Sequence, residues 1–128
     1  MTVLIDSDVL IEVSRGRHAS IRNVWDRLRD SDAVLMCSPV TVAELWHGAR
    51  DEDHDLLHRL FDCFLCIPVN EDIGRRAGNL LRHYARSHGL ELGDALIAAT
   101  ATIHGAQLWT RNRKHYPMKD LSFFRQDF

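Results

Sequence analysis

Thr2-Val3-Leu4-Ile5-Asp6-Ser7-Asp8-Val9-Leu10-Ile11-Glu12-Val13 changes its period partway along. Thr2–Ile5 has the β-branched, apolar character of a short buried strand. Asp6-Ser7-Asp8 then offers helix-capping oxygens, and Val9–Val13 is a short helix candidate. Further strand signals follow at Val34–Cys37, Leu65–Val69, Gln107–Trp109 and, more weakly, Leu121–Phe124. Helical spacing lies between them. Ile21, Val24, Trp25 and Leu28 mark one face of Ala19–Arg29. Ser38-Pro39 reads as an N-cap with a first-turn proline, starting a helix that runs to about Ala49. Arg50–Asp55 is polar and leads into a helix over Leu56–Phe64. Asn70 caps a longer helix that Gly89 stops. Gly93 precedes the most apolar helix, Asp94–His104, which should be central. Strands alternating with helices predict an α/β domain whose mainly parallel sheet is covered on both faces.

Ligands in such sheets bind outside the carboxyl ends of the strands. Asp6 stands at such an end, and so does Thr110-Arg111-Asn112. Two further acids sit beside strong hydrophobes. Glu44 lies in Thr41-Val42-Ala43-Glu44-Leu45, and Asp94 opens Asp94-Ala95-Leu96-Ile97-Ala98-Ala99. Each has an ordinary use. Asp6 suits helix capping, Glu44 completes a Thr41-x-x-Glu44 capping box, and Asp94 meets a helix dipole. But Ser38-Pro39 is the better helix start, which frees Glu44 at mid-helix, in a largely buried setting. Acids at the edges of buried elements are costly to desolvate without a partner. Three of them, distant in sequence, point to one shared cation. An all-oxygen set suits Mg²⁺.

The bulk numbers bound the rest. A chain of 128 residues with 45% hydrophobic and 27% charged residues is one ordered domain, residues 1–128. No apolar run approaches a membrane span and no signal peptide is visible, so a cytoplasmic location is expected. Of 16 basic residues, 14 are Arg, a bias that fits phosphate binding as well as simple composition. The net charge of −2 gives no global support for nucleic-acid binding. Cys37, Cys63 and Cys66 make no disulfide framework, and Cys63-Phe64-Leu65-Cys66 looks like core despite its redox-motif spacing. His54 and His58, at i, i+4, read as a solvated helix face. No phosphate loop or nucleophile elbow appears.

Four segments together resemble PIN-domain ribonucleases, in particular VapC-type toxins of toxin–antitoxin pairs. They are Leu4-Ile5-Asp6-Ser7-Asp8-Val9-Leu10-Ile11, Ser38-Pro39-Val40-Thr41-Val42-Ala43-Glu44-Leu45, Gly93-Asp94-Ala95-Leu96-Ile97-Ala98-Ala99-Thr100-Ala101 and Trp109-Thr110-Arg111-Asn112-Arg113-Lys114-His115-Tyr116. The resemblance implies a three-layer α/β/α sandwich and an endoribonuclease dependent on Mg²⁺ or Mn²⁺. It maps the metal-binding acids onto Asp6, Glu44 and Asp94. Thr110 and Asn112 fall where many members carry Asp. Asn112 is therefore a neutral catalytic candidate, and Thr110 would position water or phosphate. Asp8 is assigned to helix capping. Arg111, Arg113, Lys114, His115 and Lys119 form a basic loop able to grip RNA phosphate. The resemblance also implies a homodimer and a small VapB-like antitoxin covering the cleft. The alternatives are a PIN nuclease of RNA processing without an antitoxin, a Mg²⁺-binding signalling receiver, and a catalytically dead binding module.

Overall fold

The computed structural model describes residues 1–128. In chain order the elements are β1 (Thr2–Ile5), α1 (Ser7–Arg15), α2 (Ala19–Asp30), β2 (Val34–Cys37), α3 (Pro39–His47), α4 (His54–Phe61), β3 (Leu65–Cys66), α5 (Glu71–His88), α6 (Leu92–Ile103) and β4 (Gln107–Trp109). All strand pairs are parallel, in the order β3-β2-β1-β4. The chain builds outward from β1 through β2 to β3, then returns to β1's other edge as β4. The order therefore reverses between β1 and β4, and a crevice opens beyond their carboxyl ends.

The pleat divides the core into two layers. Val3, Ile5, Leu35 and Trp109 face one side, where Val9, Leu10, Ile21, Val24, Trp25 and Leu28 of α1 and α2 cover them. Leu4 and Leu108 face the other, against Ile73 and Ala77 of α5 and Ala95, Ile97, Ala98 and Ala101 of α6. Both clusters are buried and apolar, which is the three-layer α/β/α arrangement. The apolar helix α6 is central, as expected. Its small residues let it lie close to both the sheet and α5. No helix is long and apolar enough to cross a membrane.

Helix ends follow the capping chemistry. Asn70 Oδ1 accepts from Ile73 N at 3.0 Å, and Gly89 ends α5 at φ +64°, a left-handed position that favours glycine. Ser38 Oγ accepts from Val40 N, with Pro39 first in α3. Several boundaries differ from the sequence reading. α1 starts at Ser7 rather than Val9 because Asp6 itself is the N-cap, its Oδ1 accepting from Ser7 N at 2.8 Å. α6 starts at Leu92, so Gly93 lies inside it and Asp94 is third, not first. Gly93 packs close under α3: a Cβ there would lie 3.3 Å from Val40 Cγ1, a tight contact that Val40 would have to yield to by a few tenths of an ångström. α4 occupies His54–Phe61 and its tail tightens, with Phe64 N bonding to Phe61 O.

Leu65–Val69 pairs as a strand only over Leu65–Cys66, because one more ladder bond, Ile67 N to Cys37 O, is followed by Pro68, which has no N–H. Leu121–Phe124 forms a single bridge, Phe123 with Leu108. Its flanking bonds, Leu108 N to Ser122 O and Phe124 N to Leu108 O, are both 2.8 Å. The two histidines lie on an open face, His54 half-buried and His58 exposed, yet both also contact another helix. His54 stacks on Trp46 at 4.9 Å between ring centroids, and His58 meets it edge-on at 5.0 Å, fastening α4 to α3. Cys66 lies opposite Cys37 across β2 and β3. Burial and the neighbouring Cys66 sulfur push the Cys37 thiol up to about 12, so it is an inert core thiol.

Candidate metal centre

The crevice at the reversal point collects carboxylates from four elements. β1 delivers Asp6, and the first turn of α1 delivers Asp8. α3 carries Glu44, and the first turn of α6 carries Asp94. The loop after β4 supplies Thr110 and Tyr116, both buried. Asp6 is itself buried and accepts three hydrogen bonds. Ser7 N donates to Oδ1, while Thr110 Oγ1 (2.9 Å) and Tyr116 OH (2.7 Å) both donate to Oδ2. Tyr116 OH also lies 3.4 Å from Asp94 Oδ1, so one phenol bridges β1 and α6. Ser7 Oγ donates to Glu44 Oε1 at 3.0 Å and sits 3.0 Å from Thr41 Oγ1, which ties α3 to the same cluster. Glu44 is exposed, not largely buried. Only Thr41 and Leu45 of α3 turn fully inward, which leaves Glu44 on the cleft rim.

The electrostatics are lopsided. Partial desolvation at the cleft rim raises the carboxyls of Glu44 and Asp94 above the ordinary range, and the nearby Asp6 charge adds to both shifts. Burial, with Asp6 adjacent, pushes Asp8 up to about 6. The same causes raise Tyr116, which keeps its proton and acts as a donor. No Lys or Arg pairs with any of the four acids. Their one basic neighbour is the His115 imidazole, whose Nδ1 is 4.0 Å from Asp94 Oδ2. Asp8 Oδ2 accepts from Arg111 N at 3.0 Å, but Asp8 Oδ1 is buried without a partner. The donors are all hard oxygens, and a buried carboxylate oxygen is left unmatched, which fits a hard divalent cation. As the side chains stand, no three His, Cys, Asp or Glu groups close on one ion position. Tyr116 OH lies between Asp6 and Asp94 there.

Asp8 gives a stability prediction for the cation-free protein. Its carboxyl binds protons more tightly folded, at about 6, than unfolded, at its ordinary 3.8. Stability therefore falls as pH rises through that window and stays reduced above it. Asp8→Asn removes the charge and keeps an oxygen to accept from Arg111 N. We expect it to be more stable than the wild type by about 1–2 kcal/mol at neutral pH, after allowance for the partial exposure of Asp8. That advantage should vanish in acid below the ordinary carboxylate range. Urea unfolding at the two pH values checks this.

The remaining sequence-selected residues divide. Asn112 does not touch the acids. Its Nδ2 lies 2.9 Å from His115 Nδ1, and its backbone N–H donates to Thr110 Oγ1. It therefore reaches the cluster through His115 and Thr110. Arg111 pairs with Glu12 at 3.4 Å, and Arg113 bonds Phe124 O and lies over the Phe123 ring. Both are partly occupied in holding the loop. Lys114 has no acidic partner, and it joins His18, Arg111 and Arg113 around a polar hollow of about 700 Å³ that contains no acid. Lys119 is not part of that hollow, and Asp120 beside it pairs with Arg76 of α5. On the Glu44 side, a groove of about 440 Å³ runs over Ile11, Leu45, Leu56 and Leu57 past Arg15 and Arg50. Sequence reasoning passed over Tyr116 and Ser7 as site residues. A tyrosine seven residues beyond a strand's carboxyl end was the available signal for the first.

The family model for the PIN domain matches residues 3–121. Ribonuclease VapC10 of Mycobacterium tuberculosis is 44% identical over 117 residues, which cover 91% of this chain and 86% of that protein. Among solved structures, a toxin–antitoxin complex from Klebsiella pneumoniae superposes with a TM-score of 0.74 at 26% identity, covering 93% of this chain and 94% of the other. VapBC2 from Rickettsia felis, bound to a DNA fragment from its promoter, superposes with a TM-score of 0.80 at 20% identity, covering 97% and 98%. The latter likeness is one of fold.

Proposed function

The chain belongs to the PIN-domain family, alongside the VapC ribonucleases, and from that premise we propose that it is a metal-dependent endoribonuclease and the toxin of a toxin–antitoxin pair. One observation carries the catalytic part: four carboxylates share a crevice at the sheet's reversal point with no Lys or Arg to neutralise them. Asp6, Glu44 and Asp94 would hold Mg²⁺, with Mn²⁺ as a substitute. When bound, the ion supplies Lewis-acid chemistry, acidifying water and offsetting charge on the scissile phosphate.

The protein's own groups do the rest. Thr110 and Tyr116 fix the Asp6 carboxylate, and Ser7 orients Glu44. The hollow of His18, Arg111, Arg113 and Lys114 adjoins the acids through Thr110 and attracts the RNA backbone. Asn112 and Thr110 orient water or phosphate at that edge. In-line attack leaves a 5′-phosphate and a 3′-hydroxyl.

The relatives support an antitoxin as partner. VapC10 is named a ribonuclease, and the Klebsiella neighbour is a toxin–antitoxin complex. A small VapB-like antitoxin covering the acidic cleft is the partner proposed here, together with a homodimer. The apolar floor beside Glu44 is suited to an antitoxin segment.

The test is cleavage of RNA by the purified chain with Mg²⁺, with EDTA, and after Asp6→Ala. Cleavage should require the metal and disappear in the variant. Activity surviving both EDTA and Asp6→Ala would sink the metal mechanism.

A further inference from the structure

The Tyr116 ring is buried in the same apolar cluster as Leu4, Ala95, Ala98, Leu108, Met118 and Leu121. Only its hydroxyl reaches the crevice, where it meets the two acids that come from different layers of the fold. The donated bond to Asp6 Oδ2 is 2.7 Å and the approach to Asp94 Oδ1 is 3.4 Å. Thr110 shares Asp6 Oδ2 with it, so Oδ1 of Asp6, with one donor, keeps the freer lone pair. Asp94 has few other restraints. Its bond from Glu91 N is 3.5 Å, and His115 is 4.0 Å away.

We propose that Tyr116 is a positioning residue whose hydroxyl ties Asp6 to Asp94 before the divalent cation arrives. The proposal rests on reading the crevice as a cation site. Two like charges held close by a neutral donor cost less to bring onto one ion than two that have swung apart. Phenylalanine would keep the ring's packing and lose the tie. A freed Asp6 oxygen is a somewhat stronger ligand. Partners that orient metal-binding groups nevertheless change affinity by about 10- to 100-fold when removed, and loss of orientation wins over that gain in basicity.

The experiment is calorimetric titration of Mg²⁺ into wild type, Tyr116→Phe and Thr110→Val. Thr110→Val removes the other hydroxyl on Asp6 Oδ2 and leaves the tie to Asp94. The expected result is an increase in Kd of about tenfold or more for Tyr116→Phe, with a smaller increase for Thr110→Val. The rise in Tm on adding Mg²⁺ should shrink in the same order. Unchanged or tighter binding by Tyr116→Phe would overturn the proposal. So would equal losses in both variants, which would mean that Asp6 merely needs donors. Absence of binding by the wild type would overturn the cation reading itself, and this proposal with it. Should Tyr116→Phe fail to fold, 4-fluorophenylalanine at 116 gives the same comparison with a substituent nearer the hydroxyl in size.

Discussion

Asp94→Asn is expected to lower Mg²⁺-dependent RNA cleavage by about three orders of magnitude while leaving the fold intact. The change keeps the shape of the side chain and the acceptor that faces Glu91 N at 3.5 Å. It removes a charge whose carboxyl is already raised by burial and by the neighbouring Asp6. Relief of that repulsion offsets what the helix dipole loses, so the Tm without metal should stay level or rise. An activity loss accompanied by a large fall in Tm would assign Asp94 a structural role. Full activity with the Tm unchanged would remove it from the centre.

Trp109→Ala should have the largest effect on stability. Trp109 is 1% exposed, ends β4 and packs its ring 5.3 Å from that of Phe124. Truncating a buried Trp to Ala costs about 3–5 kcal/mol, a large part of the roughly 5–15 kcal/mol that holds such a domain together. For a chain of this size that corresponds to a Tm lower by about 10–20 °C, measurable by calorimetry. The effect should reach the centre as well. Trp109 O accepts from Asp6 N at 2.9 Å, so the strand end that carries Asp6 depends on the seating of β4. A shift of only a few degrees would mean that the cavity collapses and that the layer is less tightly packed than described.

The parts of the fold legible in the sequence were those governed by local chemistry. β1, β2 and β4 are where β-branched and apolar runs placed them, and α5 runs between the Asn70 cap and Gly89. The start of α3 followed from Ser38-Pro39 for the same reason. What escaped depends on partners distant in the chain. β3 is short because Pro68 interrupts its ladder to β2, and His54 and His58 are engaged because Trp46 of another helix lies over them. The site divides in the same way. Asp6, Glu44 and Asp94 were found as acids next to hydrophobes, and the structure links them through hydroxyls. Which hydroxyls those were was not readable. Tyr116 reaches Asp6 across 110 positions and Ser7 reaches Glu44 across 37. The exposure of Glu44 was misread because its apolar neighbours pack on the other side of a short helix.

Whether these acids cut RNA through a bound metal is tested by mapping the ends left in total RNA by the purified chain with Mg²⁺. The predicted result is discrete sites with 5′-phosphate and 3′-hydroxyl ends, all lost in EDTA. Ends carrying 5′-hydroxyl and cyclic phosphate, formed equally well in EDTA, would contradict cleavage through a metal.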